Sequence, residues 1–218
     1  MKARHILAGS ILTAVASSSF AVTLASSTFD ASTEGWKAVN GASHFERLLD
    51  GGDPGGFIQA KDVNGETLWF FAAPSAYLGD KSAAYGGSLS FALKSDSTSP
   101  PLATTYADIH LLGANGVRLV FTGDAVPTGG WTSYTVALVA DGSWKVDSVN
   151  GPNATAADFA GVLANLETLR IRGDYKQAVE TTGLDSVVLT AAVPEPATAA
   201  MALAGLALLA GIARRRQA

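Results

Sequence analysis

Between Gly56 and Thr190 the chain is written in short runs of alternating apolar and polar residues, separated by clusters of Gly, Asp, Ser and Pro. Eight runs predict strands: Gly56–Lys61, Leu68–Ala72, Leu89–Lys94, Ala107–Leu112, Val117–Thr122, Ser133–Leu138, Leu169–Arg172 and Ser186–Thr190. In the third, Leu89, Phe91 and Leu93 point one way and Ser90, Ala92 and Lys94 the other, the pattern of an antiparallel sheet buried on one face. Thr155-x-x-Asp158 opens the only helical pattern of the middle region, with Phe159, Val162, Leu163 and Leu166 on one stripe. The expectation is an all-β protein of eight to ten strands in two sheets, with one short helix closing an end of the sandwich.

The two ends of the chain read differently. Lys2, Arg4 and His5 precede an apolar stretch from Ile6 to Ala16 and then small residues, the three-part layout of a secretory signal with a cut after Ala21 or Ala25. At the other end, Val193-Pro194-Glu195-Pro196 leads into the apolar run 197–213 and then Arg214, Arg215 and Arg216. As a helix that run spans about 25 Å, enough to cross a bilayer of about 30 Å if the arginines snorkel, and they hold the tail on the cytoplasmic side. The expected organisation is a signal helix in 1–25, one soluble domain in 26–192, and a tail in 193–218 with a single membrane helix.

Charge sharpens this division. The 218-residue chain carries a net charge of −4, but five of its fifteen bases and one of its nineteen acids lie in the two ends. The middle therefore holds ten bases against eighteen acids, net −8, which argues against nucleic acid or anionic lipid as its partner. With no cysteine, disulfides, thiolate metal sites and Cys nucleophiles are excluded.

Pro194-Glu195-Pro196, the Ala/Leu-rich span and the terminal Arg cluster resemble the PEP-CTERM sorting signal of Gram-negative bacteria. The resemblance implies export through the Sec machinery, a stay in the inner membrane, and recognition of the Pro-Glu-Pro segment by an exosortase. Processing then releases the protein to the cell envelope, the surface or an extracellular polysaccharide matrix.

A second resemblance covers about residues 51–189. Leu68-Trp69-Phe70-Phe71-Ala72-Ala73-Pro74, Tyr77-Leu78-Gly79-Asp80 and Tyr85-Gly86-Gly87-Ser88-Leu89-Ser90-Phe91 resemble the first half of the laminin B domain, also called laminin domain IV. Ala107-Asp108-Ile109 through Leu119, Trp144, Asn150-Gly151-Pro152, Leu169-Arg170-Ile171-Arg172-Gly173 and Leu184-Asp185-Ser186-Val187 continue the pattern. It implies a jelly-roll β-sandwich similar to carbohydrate-binding modules, used for binding or structure and not for catalysis. Laminins set this domain among cysteine-rich repeats, which this chain lacks, so laminin partners do not transfer.

Candidate chemistry is sparse. Outside the signal the histidines are His44 and His110, the latter flanked by apolar residues, and no Gly-x-Ser-x-Gly elbow, phosphate loop or His-x-x-x-His pair exists. No catalytic residue is assigned. Asp30, Asp53 in the turn Asp50-Gly51-Gly52-Asp53-Pro54-Gly55-Gly56, and Asp185 leave two readings open: surface acids around a turn, or a structural Ca²⁺ site of the kind found in similar carbohydrate-binding sandwiches. Among the aromatic residues most belong to the core, while Trp131, Tyr77 and Tyr85 are the expected exposed rings for stacking on sugars. The expected function is that of an exported, non-catalytic binding or structural protein associated with extracellular polysaccharide. A protein-binding adhesion domain is the alternative, and a secreted hydrolase the third reading.

Overall fold

The computed structural model describes residues 21–65, 67–102, 106–123, 125–193 and 205. Among them are twelve strands: β1 (Thr23–Ser27), β2 (Lys37–Asn40), β3 (Ala42–Leu48), β4 (Phe57–Asp62), β5 (Trp69–Ala72), β6 (Ser88–Ser95), β7 (Ile109–Gly113), β8 (Arg118–Phe121), β9 (Thr132–Ala137), β10 (Trp144–Val146), β11 (Leu166–Arg172) and β12 (Thr181–Thr190). One helix, α1 (Ala156–Leu163), precedes β11, and two single 3₁₀ turns lie at Ser75–Tyr77 and Ser82–Ala84. All eight expected strands are present, and β1, β2, β3 and β10 are additional.

The strands form two antiparallel sheets. The first has the order β3-β4-β12-β6-β9 with β1 also on β12, and the second β10-β8-β7-β11-β5-β2. Alternation sends Leu89, Phe91 and Leu93 of β6 and Ile58 and Ala60 of β4 against Ile109, Leu111, Leu119, Phe71, Leu169 and Ile171 of the second sheet. Trp36, Trp69, Trp144, Phe29 and Phe159 are fully buried in the same core. Two of the three indoles have their polar edges satisfied: Trp36 Nε1 donates to Ser27 Oγ at 3.0 Å and Trp144 Nε1 to the Ala137 carbonyl at 2.8 Å, whereas Trp69 Nε1 is buried without a hydrogen-bond partner.

The capping box forms as expected. Thr155 Oγ1 accepts the Asp158 N–H at 3.2 Å while the Asp158 carboxylate accepts the Thr155 N–H at 2.8 Å. Phe159, Val162 and Leu163 then bury the stripe.

The ten-residue β12 is the organising strand. Along one edge it pairs first with β4, through Thr181–Leu184, and then with β1, through Val187–Thr190, while β6 runs along its other edge. Between the two partners β12 bulges: the register against β6 shifts between Asp185 and Val188, and Ser186 takes a left-handed φ of 51°. Asp185 and Ser186 thus face a gap left between the end of β1 and the start of β4.

β1 also bears on the expected signal boundary. A cut after Ala25 would strip Thr23–Ala25 from a strand paired with β12, whereas a cut after Ala21 leaves it whole. Of the expected signal helix in 1–25, residues 1–20 lie outside the described residues and Thr23–Ala25 belong to β1; Pro194, Glu195, Pro196, the expected membrane helix 197–213 and Arg214–Arg216 also lie outside the described residues, Gly205 apart. Among the described residues no helix is long and apolar enough to cross a membrane.

Candidate functional site

The gap beside the β12 bulge is filled by the 50–56 turn and by Asp30, which follows β1. Asp30 Oδ1 accepts the Gly56 N–H at 3.1 Å, and that bond, then Thr28, then Arg47, hold its carboxyl below the usual value against a smaller opposing desolvation. Asp185 is fully buried; its Oδ2 accepts the Asp53 N–H and its Oδ1 the Ser186 N–H at 2.6 Å. Burial raises the Asp185 carboxyl pKa, and the charges of Asp53 and Asp30 push the same way. The structure places Asp30, Asp53 and Asp185 around one turn, with Asp53 joining through its backbone, its N–H on Asp185 and its carbonyl accepting from Ser186 Oγ at 2.7 Å.

Glycine is required in this turn. A Cβ on Gly52 would lie 2.6 Å from Asp185 Oδ2, 2.6 Å from the Gly56 carbonyl and 2.7 Å from that of Gly55. Two carboxylates and these carbonyls make an all-oxygen donor set, the kind that suits a hard cation. Of the two readings left open for Asp30, Asp53 and Asp185, a cluster of three carboxylate side chains is not assembled: no group of three acidic or histidine side chains stands at metal-holding spacing among the described residues.

The same turn reaches the outer face of the first sheet. The Gly51 carbonyl accepts both Trp131 Nε1 at 2.9 Å and Lys94 Nζ at 3.0 Å. Lys94 Nζ lies 3.7 Å from the centroid of Phe57 and 4.5 Å from that of Trp131, and the two rings meet edge to face at 5.3 Å. Burial lowers the Lys94 pKa, partly offset by Asp185. Trp131 is therefore a fixed wall with Lys94 against its ring.

Beside that wall is a cleft of about 280 Å³ lined by Gln59, Lys94, Ser95, Asp96, Gly129, Thr181 and Gly183. Gly183 makes the floor, since a Cβ there would press on the Lys94 stem at 3.1 Å and on the Phe57 ring at 3.2 Å. Amide, ammonium, carboxylate and hydroxyl groups around a flat floor next to an indole can hydrogen-bond a sugar's hydroxyls and pack against its apolar face. Sequence reasoning missed Gln59, Lys94 and Gly183. The outward set Phe57, Gln59 and Lys61 of β4, read with its neighbours, was the signal that marked them.

Two of the expected stacking residues lie elsewhere. Tyr77 is fully buried, a correction to its expected exposure: its ring meets Trp36 edge to face at 5.2 Å, and its hydroxyl donates to the Val187 carbonyl at 2.9 Å and contacts Ser27 Oγ at 3.0 Å. It ties β1 to β12 and is a core residue. Tyr85 is 37% exposed but leans on Phe159 of α1, next to the Gly86–Leu138 contact at the far end of β9 from Trp131. Six residues of strand, about 20 Å, separate the two rings, so they form no common platform.

At the other end of β4 the acids are treated differently. Glu180 Oε1 accepts the N–H groups of Tyr175 and of Lys176 (2.8 Å for the latter), and Oε2 accepts Ser95 Oγ. Asp62 and Asp174 are just as buried, yet Asp62 Oδ2 and Asp174 Oδ1 have no hydrogen-bond partner. Burial, then the charges of Asp62 and Glu180, push the Asp174 carboxyl up to about 7. Arg172 is spoken for by Asp108, its Nη2 lying 2.6 Å from Asp108 Oδ1.

Residues 70–204 match the family model of Laminin B (Domain IV), and residues 192–217 match that of the PEP-CTERM protein-sorting motif. The chain belongs to the laminin B (domain IV) family. This laminin B protein is 32% identical to human laminin subunit gamma-1 over 133 residues, 58% of this chain and 8% of that one. It is 27% identical to the mouse basement membrane-specific heparan sulfate proteoglycan core protein over 139 residues, 64% of this chain and 4% of that one. It spans less than a tenth of the length of these curated relatives. In fold it is similar to the L4b domain of human laminin alpha-2, with a TM-score of 0.53 at 19% identity over 57% of this chain and 70% of that one. It is also similar to the family 11 carbohydrate-binding module from Clostridium thermocellum in complex with a β-1,3-1,4-mixed-linked tetrasaccharide, with a TM-score of 0.53 at 15% identity over 82% of this chain and all of the other. The expected all-β sandwich with one helix is thereby established, and the sorting motif marks an exported protein.

Proposed function

We propose that this laminin B protein is a non-catalytic binding protein of the cell envelope or extracellular matrix that holds polysaccharide in the cleft over Gly183. The observation that carries the reading is the polar cleft floored by Gly183 and lined by Lys94, whose ammonium lies against the immobilised Trp131 ring next to it, on the open face of a sandwich that resembles a glycan-bound module. In this reading Gln59, Lys94, Asp96 and Thr181 supply hydrogen bonds to hydroxyl groups, and the Lys94–Trp131–Phe57 cluster sets the edge against which a sugar ring packs.

Arrival follows from the two ends. The leader is removed after Ala21, because that cut keeps β1 intact, and a mature protein beginning at Ser26 would reverse this assignment. An exosortase then acts at Pro194-Glu195-Pro196 while 197–213 spans the inner membrane with Arg214–Arg216 in the cytoplasm. A Ca²⁺ ion would be held by Asp30, Asp185 and the carbonyls of the 50–56 turn, and its role would be to neutralise the paired carboxylates and stiffen the turn.

The test is retention of the full chain, purified in detergent, on exopolysaccharide and on mixed-linked β-glucan. Trp131→Ala should weaken retention by about tenfold, since a lost stacking contact is worth about 1–2 kcal/mol, while leaving the melting temperature nearly unchanged. Equal retention of wild type and variant on both polymers would reject this cleft as the binding site.

A further inference from the structure

The outer face of the second sheet has a different character from that of the first. Register lines up Lys145, Val120, His110, Arg170, Ala72 and Lys37 in one row running straight across β10, β8, β7, β11, β5 and β2. These positions alternate with core residues such as Trp144, Leu119, Ile109, Ile171 and Phe71, so the row faces outward. The rungs on either side add Arg118, Leu112 and Thr168, and Arg172, Phe70 and Val39. No acid occupies the central row; on the flanking rungs Asp147 stands next to Arg118 and Asp108 next to Arg172.

Arg172 apart, the cations here are not consumed by ion pairs. The one ion pair among the described residues is that of Arg172 with Asp108. Arg118 and Lys37 are exposed, and Arg170 is partly so with its Nε enclosed and without a hydrogen-bond partner. Lys145 Nζ donates to Asn153 Oδ1, a neutral acceptor that leaves its charge uncompensated. His110, its ring tilted against that of Phe70 at 4.8 Å, senses the field: burial first, then the charges of Arg118, Arg170 and Arg172, bring it down to about 4. Of the ten bases in a domain with eighteen acids, four, Lys37, Arg118, Lys145 and Arg170, thus stand in or beside this row outside any ion pair.

We propose that this row binds a linear anionic polysaccharide, one bearing carboxylate groups along its chain, laid across the strands of the second sheet. Charge complementarity selects the occupant. The row spans five inter-strand gaps, about 24 Å, and is one or two cations wide, which suits a single extended polyanion. A bilayer or a duplex presents negative charge over a much broader area and would meet the acidic surface that surrounds the row.

Alginate oligomers in chelator are the probe, with mixed-linked β-glucan as the neutral control and the full chain in detergent as the protein. Binding to alginate should fall as salt rises, and Arg118→Gln with Arg170→Gln should weaken it by about tenfold or more through two lost charge-assisted contacts, with β-glucan retention unaltered. Arg118→Glu alone, at an exposed position, should weaken it in the same direction and guards against a folding defect in the double variant. In NMR the His110 imidazole pKa should climb on saturation with alginate and stay in place with β-glucan, because an arriving carboxylate offsets the arginine charges. Unchanged alginate binding in both variants would overturn the proposal and assign any retention to Arg214–Arg216. An unmoved His110 titration, or tighter binding to anionic vesicles or duplex DNA than to alginate, would overturn it as well. Loss of the Trp131 cleft's β-glucan retention would leave this row untouched, so the two sites fail separately.

Discussion

The two ends of β4 each gather carboxylates, and they handle them in opposite ways. At the start of the strand, Asp30 and Asp185 are met by N–H groups from the 50–56 turn and the β12 bulge. At its end, Glu180 takes three donors while Asp62 and Asp174 are left with unpartnered oxygens in a fully enclosed setting. The difference is one of available backbone. A bulge and a glycine-rich turn free amides to point at a side chain, whereas next to Asp62 and Asp174 the amides are used elsewhere, that of Asp62 on the Glu180 carbonyl. Glu180 organises its end, and Asp174 is the acid that this end tolerates by keeping its proton.

The largest test of this contrast is Glu180→Ala. It strands two backbone N–H groups and the Ser95 hydroxyl in the interior, and should cost about 3–5 kcal/mol in chemical denaturation. A loss under 1 kcal/mol would make Glu180 a bystander. Next comes calcium at the opposite end: at a hundredfold excess over its Kd it should add about 2.7 kcal/mol to stability, an increment that disappears in Asp185→Asn. An equal increment in the variant would move the cation away from the 50–56 turn.

The smallest effect is expected at Asp174. Its folded value of about 7 lies above the unfolded 3.8, so the folded state holds the proton more tightly. Stability from this group is therefore intact below about pH 4 and is lost as pH rises through about 7. Asp174→Asn should stabilise the protein at pH 8 by on the order of 1 kcal/mol, with the advantage vanishing toward pH 4. A variant that is less stable than wild type at pH 8 would show that the ionised carboxylate is needed there.

The strands that could be read from sequence are those in which one apolar row is unbroken, as in Leu89, Phe91 and Leu93. Those that escaped have specific reasons. β1 hides in the small residues expected around a leader cut, and β3 is interrupted by a bulge between Ser43 and Glu46 with His44 at a φ of 48°. β2 leaves both faces partly exposed, and β10 has three residues. The site was legible where it depends on residue type, as with Asp30, Asp185 and Trp131, and illegible where it depends on register. Gly183 becomes a floor only because it sits between Gln59 and Lys94, and the cationic row exists only once six strands are set side by side. Tyr77 misled because its ring travels from a loop into the core to reach Val187, a partner 110 residues away.

The split edge of β12 has a consequence for the order in which this protein can become itself. Its central strand, which must grip β1, β4 and β6 together, is nearly the last segment of the body to be synthesised, ending at Thr190 just short of Pro194. Until that segment has emerged, the earliest strand has no neighbour and the first sheet cannot close, so contacts of very long sequence separation come last and slowly. A chain with this wiring can assemble its second sheet from strands complete by Arg172 but locks the first only when the strand beside the sorting motif is in hand.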